Sequence, residues 1–157
     1  MKPGPTENLI LGGRMNFSID NDQIYMTLAK GELINKTFES YAASNEIGCA
    51  WINGIGAIED PEIGYYSLEK KSYNHKVFSG YYELTSLIGN ITIKDGKYFS
   101  HTHITFSDIK YQIFGGHLFD AKITAAGEFM IIPGNQNINR TMNTDVGLPL
   151  WCMEDKI

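Results

Sequence analysis

Three observations predict an α+β fold, a mostly antiparallel sheet packed on one main helix. Apolar residues alternate at period two through most of the chain, as they do in strands with one buried face. Only one stretch, from Glu32 to a stop before Gly48, repeats its apolar residues at intervals of three and four. Turn chemistry of the kind that joins neighbouring antiparallel strands punctuates the rest, Asp20-Asn21-Asp22 and Asp95-Gly96 above all.

Taken in order, residues 1–12, with Pro3, Gly4, Pro5 and Gly12, read as an irregular lead-in, and a single domain is expected over 13–157. Met15 to Ile19 and Ile24 to Leu28 form a first hairpin across Asp20-Asn21-Asp22. Leu33, Ile34, Phe38, Tyr41 and Ala42 lay one apolar stripe along a helix of about four turns. Cys49 to Ile58 is a small and β-branched run, Asp60-Pro61 marks a turn, and Glu62 to Leu68 continues as strand. Glu69 to Ser72 is expected to be a solvated turn. Tyr81 to Ile93 and Tyr98 to Phe106 pair across Lys94-Asp95-Gly96-Lys97, because Asp-Gly tolerates the positive φ of a tight turn. Gly116 to Ile132 pairs again, and Pro133-Gly134-Asn135 ends the regular part. The apolar segment Gly147 to Trp151 is expected to dock on the rest.

Composition narrows function. A hydrophobic fraction of 43% and a charged fraction of 20% over 157 residues suit one soluble globular domain. Formal net charge is −5 and no cationic run exceeds Lys70-Lys71. Nucleic acid is therefore a poor partner, since such binding draws on neutralised phosphates. Cys49 and Cys152 form no C-x-x-C pair and read as reduced thiols. The apolar run Leu9 to Leu11 is too short for a signal sequence or a membrane span, so a cytoplasmic protein without a membrane partner is expected. Gly54-Ile55-Gly56 lacks the third glycine and the helix of a dinucleotide fingerprint. Asn139-Arg140-Thr141 matches a glycosylation acceptor pattern that has no meaning without secretion.

The chemistry concentrates in FSHTHITFSDIKYQIFGGHL, residues 99–118, which holds His101, His103 and His117. Residues i and i+2 of a strand share a face, so His101 and His103 project together about 6.5 Å apart. A hairpin turn centred near Lys110 would set residues whose numbers sum to 220 opposite each other, and so pair His103 with His117. Gly115-Gly116 would let the backbone bulge or approach closely there. Three neutral imidazoles with an open fourth position are the ligand set of zinc, and also suit nickel, copper or iron(II). The same spacing fits three solvent-facing or hydrogen-bonded histidines equally well. His75, beside Lys76 in a turn-like stretch, reads as solvated. Glu83 and Glu128 stand in otherwise apolar strands and are the candidate acid/base groups, although an outward-facing position explains each of them too.

Several segments together resemble the plants-and-prokaryotes-conserved domain, or PPC domain. They are Ala50-Trp51-Ile52-Asn53-Gly54-Ile55-Gly56-Ala57-Ile58, Tyr82 to Ile91, His101-Thr102-His103, Gly115-Gly116-His117-Leu118 and Ala125-Ala126-Gly127-Glu128. The resemblance runs from about Tyr25 to Ile132, with Gly147-Leu148-Pro149-Leu150 echoing the family's tail. It implies a fold related to that of acetolactate decarboxylase, assembly as a homotrimer, and a divalent metal, zinc first, on His101, His103 and His117 near a subunit interface. A small anionic or carbonyl ligand would complete the coordination. It also implies two further readings, a DNA-binding or transcription-associated regulator, and a metal-dependent enzyme acting on a small carbonyl or carboxylate metabolite. The AT-hook that ties the plant relatives to DNA has no counterpart here, and lone Arg14 is no substitute.

Overall fold

The computed structural model describes residues 15–153. The expected lead-in over 1–12 and Arg14 lie outside them. In chain order the elements are β1 (Asn16–Asp20), β2 (Gln23–Ala29), α1 (Ile34–Ser44), β3 (Ala50–Ser67), β4 (Ser72–Val77), β5 (Tyr81–Lys94), β6 (Lys97–Ser107), β7 (Ile113–Pro133), β8 (Asn139–Asn143) and β9 (Leu148–Cys152). The predicted α+β class is the observed one: nine strands in one mostly antiparallel sheet, with α1 packed against it.

Local chemistry explains the turns. Asn21 and Asp22 take positive φ between β1 and β2, and Asp95 and Gly96 do so between β5 and β6, as tight hairpins require. Between β6 and β7 the Asp108 carboxylate accepts from the backbone N–H of Lys110 at 2.8 Å and of Gln112 at 2.9 Å. That loop fixes the register the sequence suggested, and His103 lies opposite His117.

The helix is shorter than expected. It starts at Ile34, where the Asp120 carboxylate from β7 accepts from the N–H groups of Asn35 and Lys36. Asp120 does the work of an N-cap from 85 residues away in sequence, so no local signal could show it. At the other end Glu46 adopts a φ of 55° and Ile47 N–H donates to the Ala42 carbonyl, a Schellman-type stop without glycine.

Three other expectations need correction. Asp60-Pro61 is no turn: β3 runs through it, and the extra residues are absorbed as a bulge with Asp60 at a φ of 48°. Residues 72–77, polar and largely exposed, form an edge strand on the second half of β3, where few apolar positions are needed. Regular structure also continues past Pro133. The β8–β9 hairpin follows, with β8 joined to β5 by a short parallel pairing. Leu148–Cys152 docks as expected, by pairing with β8.

The register places the site. β3 pairs with β5, β5 with β6, β6 with the start of β7, and β7 again with β3, a closed circuit of pairings. Ser100, Thr102, Ile104 and Phe106 of β6 are buried on the core side with Phe38, Leu87 and Leu118. His101 and His103 alternate with them and so face away from α1. Gly89 lies opposite Thr102, where a Cβ would run into Thr102 Cα at 2.8 Å, so close strand packing here demands glycine.

One buried side chain ties these layers together. Asn35 Nδ2 donates to the carbonyls of Leu118 and Phe119, both at 3.0 Å, and Oδ1 accepts from the Thr102 hydroxyl at 2.7 Å. Replacing it with alanine leaves three polar groups without partners, each costing roughly 1–3 kcal/mol. Asn35→Ala is therefore expected to lower unfolding free energy by about 3 kcal/mol or more in urea titrations. A negligible change would show that the strands do not depend on this tie.

Candidate metal centre

Strand parity and the β6–β7 register bring His101, His103 and His117 to one place on the sheet. Their ligand atoms all lie within 4.8 Å of one another, and their ring centroids are 5.1–5.4 Å apart. Zinc with Zn–N bonds near 2.0–2.1 Å needs nitrogens about 3.3 Å apart, so an ion would draw the rings together. His101 and His117 are half-buried, while His103 opens to solvent.

The surroundings hold two of the rings in place. Tyr73 of β4 stacks on His117 with centroids 4.7 Å apart, and Phe119 meets it edge-on. Arg140 of β8 reaches His101, with Nη2 3.3 Å from Nδ1. His117 Nδ1 is buried and has no hydrogen-bond partner. A buried imidazole nitrogen left alone is costly, and a metal ion is one partner that would satisfy it. On that observation the residues present fit a divalent ion.

Electrostatics favour the neutral, ligand form of all three rings. Burial pushes His101 down to about 4, and Arg140 and then His103 add to the effect. His117 is likewise pushed down to about 4, by burial first and then by His101, His103, Arg140 and His75. Burial also lowers His103.

The other candidates lie elsewhere. Glu83 is exposed on β5 opposite Ala57 and Ser107, and Glu128 is exposed on β7 opposite Thr27 and Ile55. Neither joins the histidines within one chain, so the outward-facing explanation fits both. His75 is not simply solvated: its Nδ1–H donates to Glu62 Oε1 at 2.9 Å and its ring stacks on Phe119 at 3.9 Å. Sequence reasoning missed Tyr73 and Arg140. Arg140 was visible only as part of a glycosylation pattern, although Arg14 and Arg140 are the only arginines in the chain.

The profile of the Plants and Prokaryotes Conserved (PCC) domain matches residues 18–134. The chain belongs to this family. A plant- and prokaryote-conserved (PPC) protein of Pyrococcus horikoshii is 32% identical, with a TM-score of 0.78 over 93% of this chain and 99% of its own. A metal-containing protein of Archaeoglobus fulgidus is 31% identical, with a TM-score of 0.78 over 87% and 96%. A candidate DNA-binding protein of Bacteroides thetaiotaomicron is 28% identical, with a TM-score of 0.84 over 88% and 96%. No match to a curated protein emerges from sequence comparison. Among the described residues of this PCC-domain chain, no helix is long and apolar enough to cross a membrane.

The depressed imidazoles set a pH dependence for the metal-free protein. Unfolded histidines titrate near 6.5, whereas folded His101 and His117 are held near 4. Between those values the unfolded chain takes up protons that the folded one refuses, so stability falls as pH drops from 6.5 toward 4. The urea midpoint is expected to fall between pH 7 and pH 5, and His117→Asn to lessen the fall. Identical pH dependence in the two proteins would contradict the assignment.

Proposed function

We propose that this PCC-domain protein is a homotrimer that binds a divalent metal, zinc first, through His101, His103 and His117. A small ligand takes the position that the three histidines leave open. The observation that carries the reading is the convergence of three imidazoles, one of which, His117, has a buried and unpartnered Nδ1. The metal content of the Archaeoglobus fulgidus relative supports it.

Three neutral nitrogens suit zinc and leave room for water or a ligand, and the ion would supply Lewis acidity there. The chain's own residues do the rest. Tyr73 fixes the plane of His117, Arg140 contacts His101, and His103 stands at the solvent side.

An exposed apolar strip supports assembly. Trp51, Ile55 and Ile132 face outward at 45%, 55% and 39% exposure, and Ile88, at 49%, sits directly opposite His103. Apolar patches on a surface often mark contact sites, and subunits packed on this one would border the histidines.

Metal analysis of protein purified without a nickel column tests the centre. About one zinc per chain is expected to survive dialysis after zinc addition, and His103→Ala and His117→Ala are each expected to weaken binding by about a hundredfold or more. Trace metal throughout would remove the idea. Light scattering tests the assembly: a mass near three times 17.6 kDa is expected, shifting toward the monomer in Ile55→Asp. A wild-type monomer at micromolar concentration would refute it.

A further inference from the structure

Arg140 carries a positive charge that no acid among the described residues balances. Its Nε donates to Thr92 Oγ1 at 2.7 Å, Nη1 to the Pro149 carbonyl at 2.9 Å and Nη2 to Asn90 Oδ1 at 2.8 Å. All three acceptors are neutral. Among the described residues no carboxylate comes within 4.0 Å of the guanidinium. A half-buried cation is ordinarily paired with an acid, because removing it from water unpaired is unfavourable. Here neutral groups on β5 and β9 clamp it in one place instead, with Phe99 against its face at 5.4 Å.

The fourth contact shows what the clamp holds the cation for. Nη2 lies 3.3 Å from His101 Nδ1, and a guanidinium can only donate. In the metal-free protein Nδ1 is thus the acceptor, and Nε2 carries the hydrogen of the neutral ring. A metal on His101 ends this arrangement by either nitrogen. On Nδ1, the ion uses the lone pair that Arg140 was donating to. On Nε2, the ring's hydrogen must sit on Nδ1, which can then accept nothing. Loading His101 therefore deprives Arg140 of an acceptor and leaves an N–H beside the site. It also adds two positive charges to three neutral imidazoles already next to a cation, with no carboxylate of the described residues in the cluster.

We propose that Arg140 anchors an anionic ligand of the loaded site, a small carboxylate or a phosphate-type oxyanion that accepts from the freed Arg140 N–H while occupying the open position on the metal. The inference rests on the metal reading and narrows it, since the charge balance selects an anion over a neutral carbonyl. By linkage, anion and metal tighten each other's binding.

Cobalt(II)-loaded protein tests this without any assumed activity, because the visible spectrum of the ion follows its ligands. Acetate and inorganic phosphate, titrated separately, are the probes; whichever saturates at lower concentration identifies the class. Arg140→Gln is expected to keep cobalt while weakening that anion about tenfold or more, the loss of one charge-assisted hydrogen bond. Arg140→Lys keeps the charge without the fork and is expected to fall between the two. It also serves alone if the glutamine variant does not fold. Cobalt uptake with no anion response, or with equal anion affinity in wild type and the Arg140 variants, would overturn the proposal and leave the metal reading standing. No cobalt uptake by the wild type would instead overturn the metal reading, and this one with it.

Discussion

The Asn35 amide, buried between helix and sheet, is the tie on which the histidine geometry depends. It reaches Thr102 on β6 and the carbonyls of Leu118 and Phe119 on β7. Thr102 stands between His101 and His103, and Leu118 follows His117 directly. A polar contact on the core face therefore aligns the two strands whose other face carries the imidazoles. In an apolar core, hydrophobic packing alone is tolerant of small slips, whereas three hydrogen bonds with fixed directions are not. Glu39 adds to the alignment from one turn further along the helix, accepting from both the N–H and the hydroxyl of Ser100. The helix thus works as a template for the site without contributing a residue to it.

Much of this arrangement was legible in the sequence, and particular residues show why. The His103–His117 pairing followed from strand parity plus a loop that Asp108 could organise, both local properties of residues 99–118. The Asp95-Gly96 and Asn21-Asp22 turns were readable for the same reason: a positive φ selects the residue type. What escaped was set by distant partners. Asp120 caps a helix it is far from in sequence, and β4 has almost no apolar signal because β3 supplies its pairing. Asp60-Pro61 misled because a bulge and a turn use the same residues, and only the neighbouring strand decides between them. At the site, the histidines were found by spacing, but Arg140 and Tyr73 come from β8 and β4, strands whose place against the cluster is a matter of topology.

Those two late strands also explain why the imidazoles are neutral. The histidines sit on the outer face of the sheet, which would ordinarily leave them in water with unremarkable titration. β4 brings Tyr73 over His117, and β8 brings Arg140 to His101, so an exposed face becomes a partly covered one. Burial is the first cause of the depression at both rings, and the guanidinium acts in the same direction. His103, with less cover, faces the solvent through which an ion or ligand would arrive.

The distribution of unfavourable features argues for function on physical grounds alone. Across the core, buried polar groups such as Asn35, Thr102 and Ser100 have partners, and the helix ends are capped. The exceptions gather in one small region: an unpartnered buried nitrogen on His117, two strongly depressed imidazoles, and a guanidinium with no acid among the described residues. The orphaned nitrogen and the guanidinium each cost the isolated chain stability, the depressed imidazoles do so only below about pH 6.5, and scattered singly each would be an ordinary imperfection. Their coincidence is different, because one event relieves them together. An ion bonded to the histidines would require the neutral rings and, bonded through Nδ1 of His117, would satisfy the orphaned nitrogen, and an anion on that ion would give the guanidinium a counter-charge.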